Sequence, residues 1–238
     1  MKNIFKTILA CLTVVSAMVS CSEAEEGLVK VTHYAAFQLN DVDESNVTLV
    51  PLGEEFVEPG FVCMEGDEDI SDKVQISGEV DTNVMGAYYV TYSAVNKDGF
   101  SSSVTRTVVV YDASATDRDI SGTYTVADGS YRFWYETAGK VNFSGYNVDL
   151  SYVAPGLYSL NDYMGGYYEQ RAGYGSSYAM KGYIALNNDN TFTAITADVA
   201  GWGDSADYVE GTYDEATGNI SLEVGYAGAM CFYITLKK

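Results

Sequence analysis

The sequence predicts an all-β protein, with a β-sandwich followed by an antiparallel β-barrel or curved β-sandwich. Beyond residue 20, apolar residues recur with period two and no helical periodicity is seen. The chain has 23 glycines, 21 tyrosines and three prolines, a composition typical of many turns and of half-buried aromatic residues in strands. Its 238 residues allow one large or two small domains.

Charge and composition narrow the range of functions. The chain has 33 acidic and 13 basic residues, so its formal net charge is −20, which excludes nucleic acid and anionic membrane surfaces as main partners. One histidine, His33, leaves little scope for metal ligation or general-base catalysis at neutral pH. We predict no cofactor, no metal and no enzymatic activity.

Residues 1–20 have the pattern of a secretory signal peptide. Lys2 and Lys6 precede an apolar run over 8–19 that is short for a permanent membrane span. The run leads into Cys21, and this junction resembles a lipobox, in which the cysteine thiol is diacylated. Lipidation would anchor the protein without a transmembrane helix. The alternative is an ordinary secretory signal with a coincidental cysteine.

Residues 21–27 form the predicted lipidated tether. The acidic run over 22–26 resembles the export signal that sends Bacteroidota-type lipoproteins to the outer face of the outer membrane. A solvated tether without an address is the alternative. The remaining cysteines, Cys63 and Cys231, are far apart in strand-like runs, which favours two buried free thiols over a disulfide.

The first domain is predicted over residues 28–112. Six strand-like runs with frequent turn residues between them favour a β-sandwich. They lie at 31–39, 47–50, 59–63, 74–76, 86–95 and 103–111.

Several stretches of this domain carry a resemblance. Residues 53–60, 65–72, 86–88 and 98–99 look like bacterial surface-protein Ig-like domains of the pesticidal-crystal-protein type. The resemblance implies an Ig-like sandwich that acts as a spacer or display element.

A polar segment, residues 113–117, is predicted to be a hinge, and a second domain follows at 118–238. This part holds sixteen of the 21 tyrosines and sixteen of the 23 glycines. Its pattern predicts an eight-stranded antiparallel meander that closes as a barrel or curved sandwich. The predicted strands are 122–126, 140–143, 148–153, 178–186, 191–197, 208–213, 220–224 and 230–236.

The second domain also carries a resemblance. Residues 153–158, 165–168, 173–179, 182–187 and 201–205 resemble the C-terminal domain of two-domain surface lipoproteins encoded with glycan-uptake machinery. The resemblance implies a location and a context, and no activity.

Aromatic and polar residues of this domain suit a carbohydrate site, because sugar faces stack on exposed rings while charged groups bond hydroxyls. The alternative is that these rings cap the barrel core, with glycines allowing close packing. The candidates are Tyr163, Tyr167, Tyr168, Tyr174, Trp134, Trp202, Asp162, Arg171 and Asp204. Alternation is expected to place Trp134 and Phe133 on opposite faces of one strand.

Two groups of carboxylates were weighed for other chemistry. Asp204, Asp207 and Glu210 have no spacing that fixes the separation glycoside hydrolysis needs. The acidic loop 65–72 has alternating oxygen ligands but not the EF-hand order, so turn formation is favoured over Ca²⁺ binding.

The leading hypothesis is a non-catalytic outer-membrane surface lipoprotein that faces the exterior and binds extracellular polysaccharide or oligosaccharide for a polysaccharide-uptake system. The alternative is a structural or protein-interaction accessory that contacts an outer-membrane transporter and its partner lipoproteins.

The anchor gives the first prediction. Cys21→Ser removes the thiol that accepts the lipid, so we expect the protein to leave the membrane fraction in a detergent partitioning assay. Cys11→Ser is the control, because that residue is removed with the signal peptide and should change nothing. Membrane partitioning of the Cys21 variant equal to that of the control would contradict lipidation.

Overall fold

The computed structural model describes residues 31–42, 46–115 and 117–238. The predicted signal peptide, Cys21 and the tether lie outside these residues. Within them, no helix has the length and apolar character needed to cross a bilayer.

The N-terminal part is a β-sandwich of two sheets, which confirms the predicted Ig-like architecture. A three-stranded sheet has the order β1-β3-β4, and a four-stranded sheet has the order β2-β7-β6-β5, in which β2 runs parallel to β7. The strands are β1 (Ala35–Leu39), β2 (Val47–Pro51), β3 (Phe61–Glu65), β4 (Glu68–Asp69), β5 (Gln75–Ser77), β6 (Gly86–Val95) and β7 (Ser101–Tyr111).

The sequence of β7 explains its central position. Arg106, Val108 and Val110 alternate along the strand and are fully buried on the face between the two sheets. Val109 points the other way and is also fully buried, because it packs against Ala154 and Leu157 of the C-terminal part. The apolar run at 108–110 is therefore buried on both faces, whereas the start of the strand is exposed on one.

Arg106 is the polar centre of this sandwich. Its guanidinium is fully buried, and Tyr92 and Glu58 are joined to each other by a further hydrogen bond. Because each donor has a partner, the charge is compensated within the core. Arg106 donates to Tyr92 Oη (3.0 Å), Asn40 O (3.0 Å), Thr48 Oγ1 (2.8 Å), Glu58 Oε1 (3.2 Å) and Gly60 O (3.1 Å).

The C-terminal part is an antiparallel barrel of eight strands, in the closed order β8-β11-β12-β13-β14-β16-β17-β18, with β18 returning to β8. A hairpin, β9–β10, pairs with β18 outside this ring, and β15 pairs with β16. The strands are β8 (Gly122–Val126), β9 (Tyr131–Trp134), β10 (Gly139–Asn142), β11 (Asn147–Ala154), β12 (Leu157–Leu160), β13 (Gly182–Leu186), β14 (Thr191–Ala194), β15 (Asp198–Val199), β16 (Asp204–Asp214), β17 (Asn219–Tyr226) and β18 (Met230–Lys237).

The barrel agrees with the predicted fold class but differs from the predicted strands. Residues 140–143 were expected within the meander, and β10 instead extends the hairpin beside β18. The missing barrel strand is β12, which follows a tight turn at Gly156 (φ +70°). A strand of four residues, Leu157–Leu160, is too short to show a recognisable period. Residues 178–181 precede β13, and a 3₁₀ turn, Ser176–Tyr178, occupies the start of that predicted strand.

Apolar side chains from every strand of the ring fill the barrel interior, including Tyr124, Tyr158 and Phe232, which are at most 1% exposed. Both remaining cysteines are buried free thiols, as predicted. The last strand of the sandwich ends at Tyr111, and the first strand of the barrel begins at Gly122. The predicted division into 28–112, 113–117 and 118–238 stays a prediction.

Arg106 gives the second prediction. Arg106→Met leaves Glu58 and Tyr92 without their buried partner, so we expect a loss of roughly 2–4 kcal/mol in the free energy of unfolding, measured by urea titration. Lys73→Met is the control: the Lys73–Glu68 pair, with side chains 54% and 62% exposed, contributes about 1 kcal/mol or less. Equal losses for the two variants would show that the Arg106 network does not hold the sandwich.

Candidate functional site

Five aromatic side chains meet at one end of the barrel and form what we call the Trp202 cluster. Trp202 lies at its centre, and its ring is approached edge-on by Tyr168 and Tyr178. Trp202 is 40% exposed and Tyr174 is 56% exposed, so the cluster has a solvent-facing surface. Ring centroids lie 4.8 Å (Tyr168), 4.9 Å (Tyr178), 5.9 Å (Tyr226) and 6.3 Å (Tyr174) from that of Trp202.

Three short segments carry Tyr168, Tyr178 and Trp202: the π-helical turn Tyr167–Arg171, the 3₁₀ turn Ser176–Tyr178 and the loop between β15 and β16. Tyr174 lies between the two turns, and Tyr226 is the last residue of β17. Gly201 N donates to Ser177 O at 2.7 Å, which joins the 3₁₀ turn to the β15–β16 loop. A Cβ on Gly201 would lie 2.8 Å from the Tyr178 ring, so only glycine allows this approach.

Tyr168 attaches the cluster to the barrel core. Tyr168 is half-buried, lies edge-on to Tyr167 at 5.1 Å and contacts Met230 Sδ through its hydroxyl at 3.3 Å. Burial raises the pKa of the Tyr168 hydroxyl, although Arg132 opposes the shift. Tyr168 therefore connects the barrel core to the exposed rings.

A carboxylate lies beside the rings. The Tyr226 hydroxyl donates to Asp204, with distances of 2.7 Å to Oδ1 and 2.9 Å to Oδ2. Burial, followed by the bond to Asp204, raises the pKa of Tyr226, so the phenol stays protonated and remains a donor. Asp204 is exposed and retains acceptor capacity toward solvent.

Three predicted site residues are placed where no ligand reaches them. Tyr163 is fully buried and donates to Tyr183 O at 2.8 Å. Tyr167 is 5% exposed, packs against Phe232 and belongs to the barrel core. Asp162 is 1% exposed.

Asp162 holds the loop that follows it. Its Oδ1 accepts from Met164 N (2.8 Å) and Met180 N (3.1 Å), and its Oδ2 accepts from Gly166 N (2.9 Å). The two ends of the segment that carries Tyr168, Tyr174 and Tyr178 are thus tied to one carboxylate. Burial raises the pKa of Asp162 to about 6, even though the three backbone bonds favour the charged form.

Trp134 and Arg171 lie apart from the Trp202 cluster, in a stack of rings and cations. The Arg132 guanidinium lies 5.0 Å from the centroids of both Trp134 and Tyr167, and Arg171 lies 4.9 Å from Tyr167. Trp134 packs toward the barrel core, and Phe133 contacts Tyr135. Arg132 is not among the predicted site residues, because an isolated arginine in a strand gives no sequence signal of such a stack.

The other carboxylates have local partners. Asp207 accepts from Gly228 N at 2.7 Å. In the acidic loop, Asp69 accepts from Ser71 N at 2.9 Å, and Glu68 pairs with Lys73 at 3.3 Å. Among the described residues, no three His, Cys, Asp or Glu side chains gather as a metal site would require.

Both parts of the chain match known domain families. A model of the bacterial surface protein Ig-like domain matches residues 40–110, and a model of a C-terminal-domain family matches residues 113–238. The crystal structure of the lipoprotein BT2262 from Bacteroides thetaiotaomicron is 42% identical, with a TM-score of 0.48, and the match covers 86% of this chain and 100% of that one. This chain belongs to the same family of two-domain lipoproteins. The resemblance of the sequence to two-domain lipoproteins with an Ig-like first domain is thus confirmed.

Two further structures match this lipoprotein weakly. One, from Clostridium perfringens ZmpB, contains CBM51-2 in complex with GlcNAc and INT domains (20% identity, TM-score 0.28, 53% of this chain and 29% of that one). The other, from Bacteroides ovatus, has unknown function (9% identity, TM-score 0.26, 85% and 93%). Neither score establishes a shared fold or ligand. No curated protein matches significantly.

Asp162 gives the third prediction. Because its pKa is raised by burial to about 6, the folded state binds the proton more tightly than the unfolded state. The resulting stability is present below about pH 4 and is lost as pH rises through about 6. The asparagine of Asp162→Asn cannot titrate in this range, so we expect the free energy of unfolding of this variant to lack this pH-dependent contribution.

Melting curves of the two proteins from pH 4 to pH 7 separate this effect from the general titration of an acidic chain. The wild type should exceed Asp162→Asn by about 2 kcal/mol more at pH 4 than at pH 7. A gap that widens toward pH 7 would show that the three backbone donors keep Asp162 charged.

Proposed function

We propose that this lipoprotein is non-catalytic and binds extracellular glycan on the Trp202 cluster. The observation that carries the proposal is the partly exposed indole of Trp202, packed among four tyrosines and next to the Asp204 carboxylate. A sugar ring presents a face of C–H groups that packs on an aromatic surface, while its hydroxyls require acceptors at the rim.

Rigidity supports this function. The rings of Tyr168, Tyr178 and Tyr226 surround Trp202 and limit its rotation, so little side-chain entropy is lost when a ligand stacks on it. Tyr174 is the most exposed member, and its ring is stacked on that of Tyr168 at 5.9 Å. The exposed rings of Trp202 and Tyr174, whose centroids are 6.3 Å apart, can therefore contact neighbouring sugar units without rearrangement.

The carboxylates near the cluster support binding in preference to hydrolysis. Asp204 bonds the Tyr226 hydroxyl and Asp207 bonds a backbone N–H, so both are held as hydrogen-bond acceptors. A glycosidase needs one carboxyl group to act as a proton donor beside a second carboxylate at a set distance.

Location is the second part of the proposal. Lipidation at Cys21 followed by the acidic tether would place the protein on the outer membrane with its body facing the exterior. A glycan bound there is available to a polysaccharide-uptake system, so an outer-membrane transporter and its partner lipoproteins are the proposed neighbours.

Affinity electrophoresis of the mature protein in gels containing starch, xylan, mannan, pectin or mucin glycans tests the binding. Trp202→Ala and Tyr174→Ala should each lose about 1–3 kcal/mol of binding free energy for the retarding glycan. The free energy of unfolding of Tyr174→Ala should also stay within about 1 kcal/mol of the wild-type value, because that ring is mostly exposed.

Tyr152→Ala is the matched control, since Tyr152 is as exposed as Trp202 (40%) but lies on β11 outside the cluster. Retardation of all three variants equal to the wild type would place the ligand elsewhere. Absence of retardation by every glycan would favour the protein-interaction role.

A further inference from the structure

A cavity of about 780 Å³ lies between the N-terminal sandwich and the barrel, beside the Trp202 cluster. One wall is a row of cross-strand neighbours on β2, β7 and β6: Val47, Thr107 and Tyr89. Cross-strand neighbours share a face of the sheet, so these three side chains face the barrel together.

The opposite wall is a row on the outer face of β11, β12 and β13. Ser151 pairs with Ser159, and Ser159 pairs with Tyr183. The two serines are small, which leaves space along this wall, and Tyr89 on the other wall is 52% exposed. A volume of this size suits a ligand of several hundred Å³.

Three polar side chains of the lining are available to bond a ligand. Among the described residues, the hydroxyls of Ser151 and Ser159 and the carboxylate of Asp198 make no side-chain hydrogen bond. Among the described residues of the lining, Lys181 is the only basic one, and the lining also contains two carboxylates, Asp149 and Asp198. The cavity is therefore suited to a neutral, hydroxyl-rich molecule and not to a phosphate or another anion.

The cavity and the Trp202 cluster share two chain segments. Ser176 and Ser177 line the cavity, and Tyr178 of the same 3₁₀ turn contacts Trp202 at 4.9 Å. Ala200, two residues before Trp202, also lines the cavity. A second cavity of about 590 Å³ shares Tyr89 and Asp198 with the first, so the space continues past Tyr89 along the barrel.

We propose that this cavity binds further units of a neutral oligosaccharide held at the Trp202 cluster, with Tyr89 as the stacking residue and Asp198 as a hydroxyl acceptor. The inference rests on the proposed glycan binding and extends it. The Ig-like domain then supplies part of the binding site and is more than a spacer, because Tyr89 belongs to its β6 strand.

Chain length of the ligand tests this. Disaccharide and hexasaccharide fragments of the retarding polysaccharide are titrated calorimetrically into the mature protein. Tyr89→Ala and Asp198→Asn should weaken hexasaccharide binding about tenfold and leave disaccharide binding within about twofold. Trp202→Ala should weaken both ligands. Tyr34→Ala is the control, an Ig-domain tyrosine that is 58% exposed, contacts the Phe100 ring and lies outside the cavity lining.

The outcomes separate the two proposals. If Trp202→Ala weakens binding while Tyr89→Ala and Asp198→Asn behave like Tyr34→Ala at both lengths, the cavity inference is overturned and the Trp202 proposal stands. If the cavity variants weaken hexasaccharide binding and Trp202→Ala does not, the cavity binds glycan and the Trp202 proposal is wrong. If no polysaccharide of the panel binds, both are overturned.

Discussion

The buried carboxylate of Asp162 is the constraint on which the exposed aromatic surface depends. It accepts three backbone N–H groups from Met164, Gly166 and Met180, so it closes a loop of eighteen residues against the barrel end. Tyr168, Tyr174 and Tyr178 all lie within that loop. Their positions relative to Trp202 are therefore set by one side chain that is itself inaccessible to ligand.

The barrel below makes this arrangement stable. Its ring closes where β18 pairs with β8, and the apolar interior supports Tyr167, on which Tyr168 packs. The cluster thus combines a rigid base with an exposed upper surface, which is the arrangement expected where binding must cost little ordering entropy. The sandwich has its own polar centre at Arg106, and Val109 of the same strand packs against Ala154 and Leu157 of the barrel part.

Much of the fold could be predicted from sequence, because long strands such as β6 and β18 carry clear alternation and frequent turn residues. The strand β12 could not, since four residues between a tight turn and a buried loop show no distinct period. The candidate site was predicted in part. Trp202, Tyr168, Tyr174 and Asp204 do come together, whereas Asp162, Tyr163 and Tyr167 are buried. Sequence shows that a segment is rich in tyrosine and glycine, but burial depends on contacts with distant strands.

The cavity beside Tyr89 could not be predicted from sequence for the same physical reason. It is formed by two sheet faces from opposite halves of the chain, and no local pattern reports how such faces meet. Serines are common at outward-facing strand positions. The sequence alone therefore does not identify Ser151 and Ser159 as part of a cavity that Tyr89 also lines.

Fluorescence of Trp202 tests whether a glycan packs on its exposed indole ring. The chain has two tryptophans, so Trp134→Phe leaves Trp202 as the only indole. We expect the hexasaccharide of the retarding polysaccharide to cause a saturable blue shift of the Trp202 emission in this variant, with the midpoint found by calorimetry, because the sugar replaces water on the exposed ring. An unchanged emission spectrum under saturating binding would contradict it.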